Sequence, residues 1–291
     1  MTRRFALHHA AIAVVALICV PVAAPAQDAS AWNAEQHAAA RIIAGATLKA
    51  GDMNWLRAGI EIKLEPGWKT YWRYPGDSGV PPTLDFTGSG NVKSVMVLWP
   101  APELFDDGGG GHSIGYHSDV VLPLRIVAAD PSRPSSLRVK LTYAVCGRLC
   151  VPGEANLALE LSGKVAAEEP VLAAAEARVP RRVVSGPRET QGKMLAIRAV
   201  HREGDGAKGK VVVDVAAPTD MPVDLLVEGP TPDWALPLPT PANPIDGGSP
   251  GVRRFTFNLD GLPPGAHADG AILTFTAVSP ADAIEVRDRL D

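Results

Sequence analysis

Cysteine is scarce in this sequence: 291 residues hold three, Cys19, Cys146 and Cys150. Any excess of positive charge is missing too. Lys and Arg number 28 against 32 Asp and Glu, a formal charge of −4, and no basic cluster interrupts the balance. Such a chain lacks the electrostatic footprint of a nucleic-acid or anionic-membrane partner. Beyond the first twenty or so residues no apolar run approaches membrane length, which excludes a helical membrane domain there. Long helical periodicity is absent, and that turns the reading toward strands. Two chemistries also lack their marks. Gly108–Gly111 is followed by no Lys-Ser/Thr and no helix start, so it is not a phosphate cradle. Ser113 and its neighbours show no nucleophile elbow, which leaves Ser/His/Asp catalysis unsupported.

What is present begins at the N-terminus. Arg3 and Arg4 precede an apolar run from about Ala10 to Val20, and Ala24-Pro25-Ala26 offers a small-x-small cleavage site before Gln27. That order predicts a secretory signal peptide over residues 1–26. Bulky Ile18 argues against a lipid anchor on Cys19. Cleavage removes Cys19, Arg3 and Arg4 but no acidic residue, taking the formal charge from −4 to −6. The mature chain then keeps one close cysteine pair and no leftover thiol. This fits a soluble protein in an oxidising compartment, and the bacterial periplasm is the expected location.

The mature chain reads as two domains joined by a connector. Short stretches such as Ile60–Leu64, Leu137–Leu141 and Leu157–Leu161 alternate apolar and polar residues, so each should bury one face and wet the other. With 28 Gly and 27 Pro between such stretches, the fold class is all-β, and two β-sandwiches are expected. The first spans 27–163 and the second 183–291. Residues 164–182, rich in Ala and charge and closed by Pro180, form the connector. Short helices are expected near Ala31–Ala39 and Pro170–Ala177. Five of the six tryptophans and all four tyrosines precede the connector, either because the first core uses larger side chains or because some rings shield the cysteines.

Cys146 and Cys150 sit in "TYAVCGRLCVPGEANLALEL". In an extended strand their Cα atoms would lie on the order of 13 Å apart, whereas a disulfide needs roughly 4.4–6.8 Å. The chain must therefore turn between them, and a hairpin with Gly147, Arg148 and Leu149 as its loop fits the flanking alternation. In the chain-entropy model a five-residue ring stabilises by about 2 kcal/mol, against nearly 5 for a hundred-residue loop. The pair is thus a poor staple and an accessible target for exchange. Arg148 between the thiols would favour a thiolate by its charge. Two other readings stay open: an inert disulfide in a binding module, and a Cu(I) or zinc clip completed by His112 and His117 of "DDGGGGHSIGYHSD".

Three blocks, "GWKTYWRYPGDSGVPPTLDF", "WPAPELFDDGGGGHSIGYHSDVVLPLRI" and "LTYAVCGRLCVPGEANLAL", together with the Y-x-x-C-x-x-x-C-x-P signature, resemble a known family. They are similar to the periplasmic N-terminal domain of DsbD-type thiol–disulfide interchange proteins, and most of all to the ScsB (suppressor of copper sensitivity) branch. The resemblance implies immunoglobulin-like sandwiches and a redox pair that passes electrons to periplasmic thioredoxin-fold proteins without an organic cofactor or resident metal. By analogy Cys150 would form the mixed disulfide and Cys146 would resolve it, making the protein a disulfide reductase. The family's cap ring corresponds to Phe105 in Pro102–Asp106, and Trp68 and Tyr71 correspond to aromatic positions near the site. Better-known members space their cysteines more widely and continue into a transmembrane electron-transfer domain. As this sequence stops at Asp291, the resemblance implies a separate membrane electron donor.

Overall fold

The computed structural model describes residues 27–51, 53–107, 110–186, 194–204, 209–242 and 251–291. The segment read as a signal peptide lies outside them. Among the described residues no helix is long and apolar enough to cross a membrane.

The first half is built from β1 (Asn33–Glu35), β2 (Ala38–Ala50), β3 (Met53–Leu64), β4 (Lys69–Gly76), β5 (Thr83–Asp85) and β6 (Val92–Val97), followed by β7 (Glu103–Asp106), β8 (His112–Tyr116), β9 (Val120–Ala128), β10 (Ser135–Cys146) and β11 (Cys150–Leu161). They pair into two sheets, β1-β2-β3-β9-β6 and β11-β10-β4-β8-β7, with β5 on the edge of β10. Along β10 and β11 the predicted alternation holds. Leu137, Val139, Leu141, Leu157, Leu159 and Leu161 are buried, while Arg138, Lys140, Ala158 and Glu160 face outward. These residues meet Ile42, Ile60, Ile62, Trp72 and Leu122 in one core between the sheets.

The segment Ala31–Ala39, expected to be helical, instead supplies β1 and the start of β2, paired antiparallel through Asn33–Ala40, Ala34–Ala39 and Glu35–Ala38. Alanine-rich composition favours helix locally, but the docking of Ala38 and Ala40 into the core decides the outcome. The outward face of β3 also departs from expectation. Gly59 and Glu61 are buried because helix α1 (Glu169–Ala177) lies over that sheet. Pro170 opens this helix, a position where its missing N–H has no cost. Leu172 and Ala175 face the sheet, and Gly45 and Gly59 leave the space Leu172 fills; a Cβ on either would come within 2.4 or 3.1 Å of it. Burial of a leucine there is worth about 1.5–3 kcal/mol. Ion pairs ring the contact: Arg57 with Glu176 at 2.7 Å and with Glu169, Arg125 with Glu176, and Arg41 with Glu168 at 2.9 Å.

The second half supplies β12 (Arg181–Val183), β13 (Ala196–Glu203), β14 (Lys210–Ala216), β15 (Asp224–Glu228), β16 (Thr240–Pro241), β17 (Val252–Asn258), β18 (Ile272–Val278) and β19 (Ala283–Arg289). Sheets β12-β19-β18-β15 and β13-β14-β17-β16 enclose a core of Val213, Val215, Phe255, Phe275, Ile284 and Val286. The fold class is all-β, two packed sandwiches. Arg73 of β4 reaches Glu228 and Glu285 of the second sandwich, and the Tyr74 hydroxyl donates to the Leu236 carbonyl at 2.8 Å.

Candidate redox site

Period-two alternation fixes which side chains share the outer face of the second sheet. Cys146 is register-paired with Cys150 on one side and with Lys69 on the other, so these three project together. Lys69 and Tyr71 are two residues apart and share that face. Tyr71 is paired with Gly115, Gly115 with Glu103, and Ser113 with Phe105. The hairpin tip, β4, β8 and β7 thus bring Cys146, Cys150, Lys69, Tyr71, Ser113 and Phe105 onto one surface, away from the core.

Cys146 and Cys150 form a disulfide with S–S 2.01 Å and Cα–Cα 4.1 Å. The turn between them is the predicted loop of Gly147, Arg148 and Leu149, closed by the Gly147 N–H to the Leu149 carbonyl at 3.1 Å. The two sulfurs are not equivalent. Cys146 is only 2% exposed, packed with Tyr71 and Ala144 in a small cluster outside the main core, whereas Cys150 is exposed. The Tyr71 hydroxyl lies 2.8 Å from the Cys146 Sγ, to which it donates, and 3.5 Å from the Cys150 Sγ. Burial, with a smaller contribution from the Asp107 charge, pushes the Tyr71 phenol above its ordinary pKa, so it stays a donor.

Residues 40–162 match the family model described as the N-terminal region of the thiol:disulfide interchange protein DsbD. This segment is a DsbD-type N-terminal domain. Its matched span contains both sheets of the first sandwich except β1 and the first two residues of β2, and the whole disulfide site. Across nearly the full chain, the fold is that of the N-terminal periplasmic domain of ScsB from Proteus mirabilis. That crystal structure aligns at 22% identity and a TM-score of 0.64, covering 91% of this chain and 98% of that one. No curated protein matches the chain.

Within the DsbD-type domain the other sequence-nominated residues fall around the pair rather than all upon it. Trp68 lies beneath the hairpin loop, where a Cβ on Gly147 would come within 3.2 Å of the indole. The indole stacks on His37 with ring centroids 3.7 Å apart. Phe105 reaches the site through Lys69, whose ammonium sits 5.1 Å from the ring centroid, and its other edge meets His117. His117 is ion-paired with Glu103 at 2.6 Å, and His112 pairs across the strands with Asp106. Among the described residues no three His, Cys, Asp or Glu side chains converge as metal ligands would.

Lys69 and Asp107 were not singled out in the sequence. Lys69 donates to Asp107 Oδ1 at 2.5 Å and to Ser113 Oγ at 2.9 Å, and Asp107 also accepts from Ser78 and Ser113. Burial works against the Asp107 carboxylate, but the ammonium and the two hydroxyls outweigh it and hold its pKa below the ordinary value. The signal was present: in "GWKTYWRY" alternation puts Lys69 on the face of Tyr71. Its meaning appears only once β8 and β7 are laid beside β4.

Proposed function

We propose that this protein is exported to the periplasm, where its Cys146–Cys150 pair relays electrons by thiol–disulfide exchange with thioredoxin-fold partners. One observation carries the reading: the sulfurs are split into an exposed Cys150 at a hairpin tip and a buried Cys146 held by Tyr71. A structural bond has no need of such asymmetry, and a disulfide on the outer face of a sheet staples no core. In the reducing direction the Cys150 thiolate attacks one sulfur of a partner disulfide. A mixed disulfide forms and the partner's other sulfur leaves as thiolate. The Cys146 thiolate then attacks Cys150 Sγ, closing the internal bond and expelling the second partner thiolate. Two electrons pass from the dithiol to the partner and no cofactor is consumed. Membership of residues 40–162 in the DsbD N-terminal family supports the same reaction.

Replacing Cys146 removes the resolving sulfur and leaves the attacking one. A Cys146→Ala variant incubated with periplasmic extract should accumulate a reductant-sensitive adduct through Cys150, and mass spectrometry should find a thioredoxin-fold protein in it. If the Cys146→Ala protein captures nothing beyond what Cys146→Ala/Cys150→Ser captures, the relay reading fails and the disulfide is inert.

A further inference from the structure

The exchange just proposed makes or breaks the Cys146–Cys150 bond in every cycle, and Cys146 is the sulfur that holds the charge when it opens. When a partner thiolate attacks Cys150 Sγ, that bond breaks and Cys146 leaves with the electron pair. In the reverse step the Cys146 thiolate attacks Cys150 and the partner sulfur leaves. A sulfur that is more stable as thiolate leaves faster. What surrounds Cys146 therefore decides how readily the site turns over.

Its cross-strand neighbour is a lysine. Directly opposed residues have Cβ atoms about 4.5–5.5 Å apart, so the Lys69 side chain starts beside Cys146 on the same face. Cys150 lies one strand further, its Cα 4.1 Å from that of Cys146. The ammonium is engaged elsewhere, on Asp107 and Ser113. Asp107 follows directly on β7, the edge strand of its sheet, which pairs with β8. Ser78, from the loop after β4, donates to the same carboxylate. An unpaired carboxylate so close to a thiolate would repel it. A carboxylate clamped to Lys69 instead cancels a charge that would attract it.

We propose that Lys69 supplies the positive charge that stabilises the Cys146 thiolate, and that Asp107, at the end of edge strand β7, offsets that charge through its ion pair with Lys69. This inference rests on the exchange reading, and it assigns the site an electrostatic control that the cysteine spacing does not contain.

The test isolates Cys146. In reduced mature chain carrying Cys150→Ser, the ultraviolet absorbance of the thiolate is followed against pH. Lys69→Gln should raise the midpoint by about one pH unit, a tenfold loss of thiolate at fixed pH, and Asp107→Asn should lower it by a similar amount. The double variant should return toward the parent. Equal midpoints in parent, Lys69→Gln and Asp107→Asn would overturn the proposal, because a purely structural role of Lys69 moves none of them. Should Lys69→Gln fail to fold, Asp107→Asn decides alone, and an unchanged or raised midpoint overturns the proposal. The titration uses no partner, so failed capture through Cys150 would sink the relay and leave this result standing, and the reverse also holds.

Discussion

Tyr71 is the residue on which the candidate site turns. Its phenol is 4% exposed and bonds to the buried sulfur, while Gly79 of the following loop packs against its ring so closely that a Cβ there would lie 2.6 Å from Cδ1. The hydroxyl is worth most to a sulfur that carries charge, because hydrogen bonds to ionised acceptors are about twice as strong as neutral ones. It therefore favours the reduced pair over the disulfide. Tyr71→Phe keeps the ring and removes only that donor. The reduction potential of the variant should fall by about 20–30 mV, equivalent to roughly 1 kcal/mol in a two-electron couple. Thiol counting in defined thiol/disulfide buffers checks it. A potential that does not move would mean the hydroxyl bonds equally well to both states.

The elements that hold Tyr71 in place show how much a one-dimensional reading can reach. The β10–β11 hairpin, its three-residue loop and the nine-residue helix after Glu168 were legible, because alternation, Gly147 and Pro170 are local signals. The Phe105 strand was placed near the site only by resemblance. Its true neighbours, Lys69 and His117, depend on β8 lying between β7 and β4. That approach requires Gly115, where a Cβ would sit 2.0 Å from the Thr70 carbonyl oxygen, and nothing in "HSIGYHSD" announces it. Nor does alternation reveal that α1 would cover Gly59 and Glu61, since that contact joins residues over a hundred positions apart in the chain. Burial disfavours the Glu176 carboxylate, yet the hydrogen bonds from Arg57 and Arg125, with their charges, outweigh it and lower its pKa from 4.5. A carboxylate with a lowered native pKa adds stability that is complete above its unfolded value and is lost as the pH falls through the folded one. Thermal unfolding of the parent should thus weaken more steeply below about pH 4.5 than that of Glu176→Gln. Parallel acid limbs in the two proteins would show that the helix clamp carries no such linkage.

The two sandwiches meet through the same strand that carries the site. Two residues past Tyr71, Arg73 turns to the second sandwich. Its guanidinium bonds to Glu228 at 2.7 and 2.9 Å and to Glu285 at 2.6 Å, with Trp72 4.2 Å away. Leu226 of β15 enters the first core, and the Ala101 N–H, two residues before β7, donates to the Arg178 carbonyl just after α1. Strand β4 thus touches the second sandwich directly, and the segment leading into β7 is tied to the end of the connector helix. Burial would depress the Arg73 pKa, but the two carboxylates more than compensate and raise it. Removing one partner of such a buried set costs more than forming it gained, because a charge is left alone. Glu285 keeps Arg182 at 3.2 Å, so Glu228 is the group stranded by Arg73→Met. Loss of about 2–3 kcal/mol is expected, discounted from fully buried pairs because Arg73 is 24% exposed. In calorimetry this should divide a single unfolding transition into two. Adding Glu228→Gln should then recover part of the loss, since the uncompensated charge is gone. If the second substitution instead adds its own full penalty, Glu228 is held by contacts other than Arg73, and the coupling between the sandwiches runs through Leu226 and the connector alone.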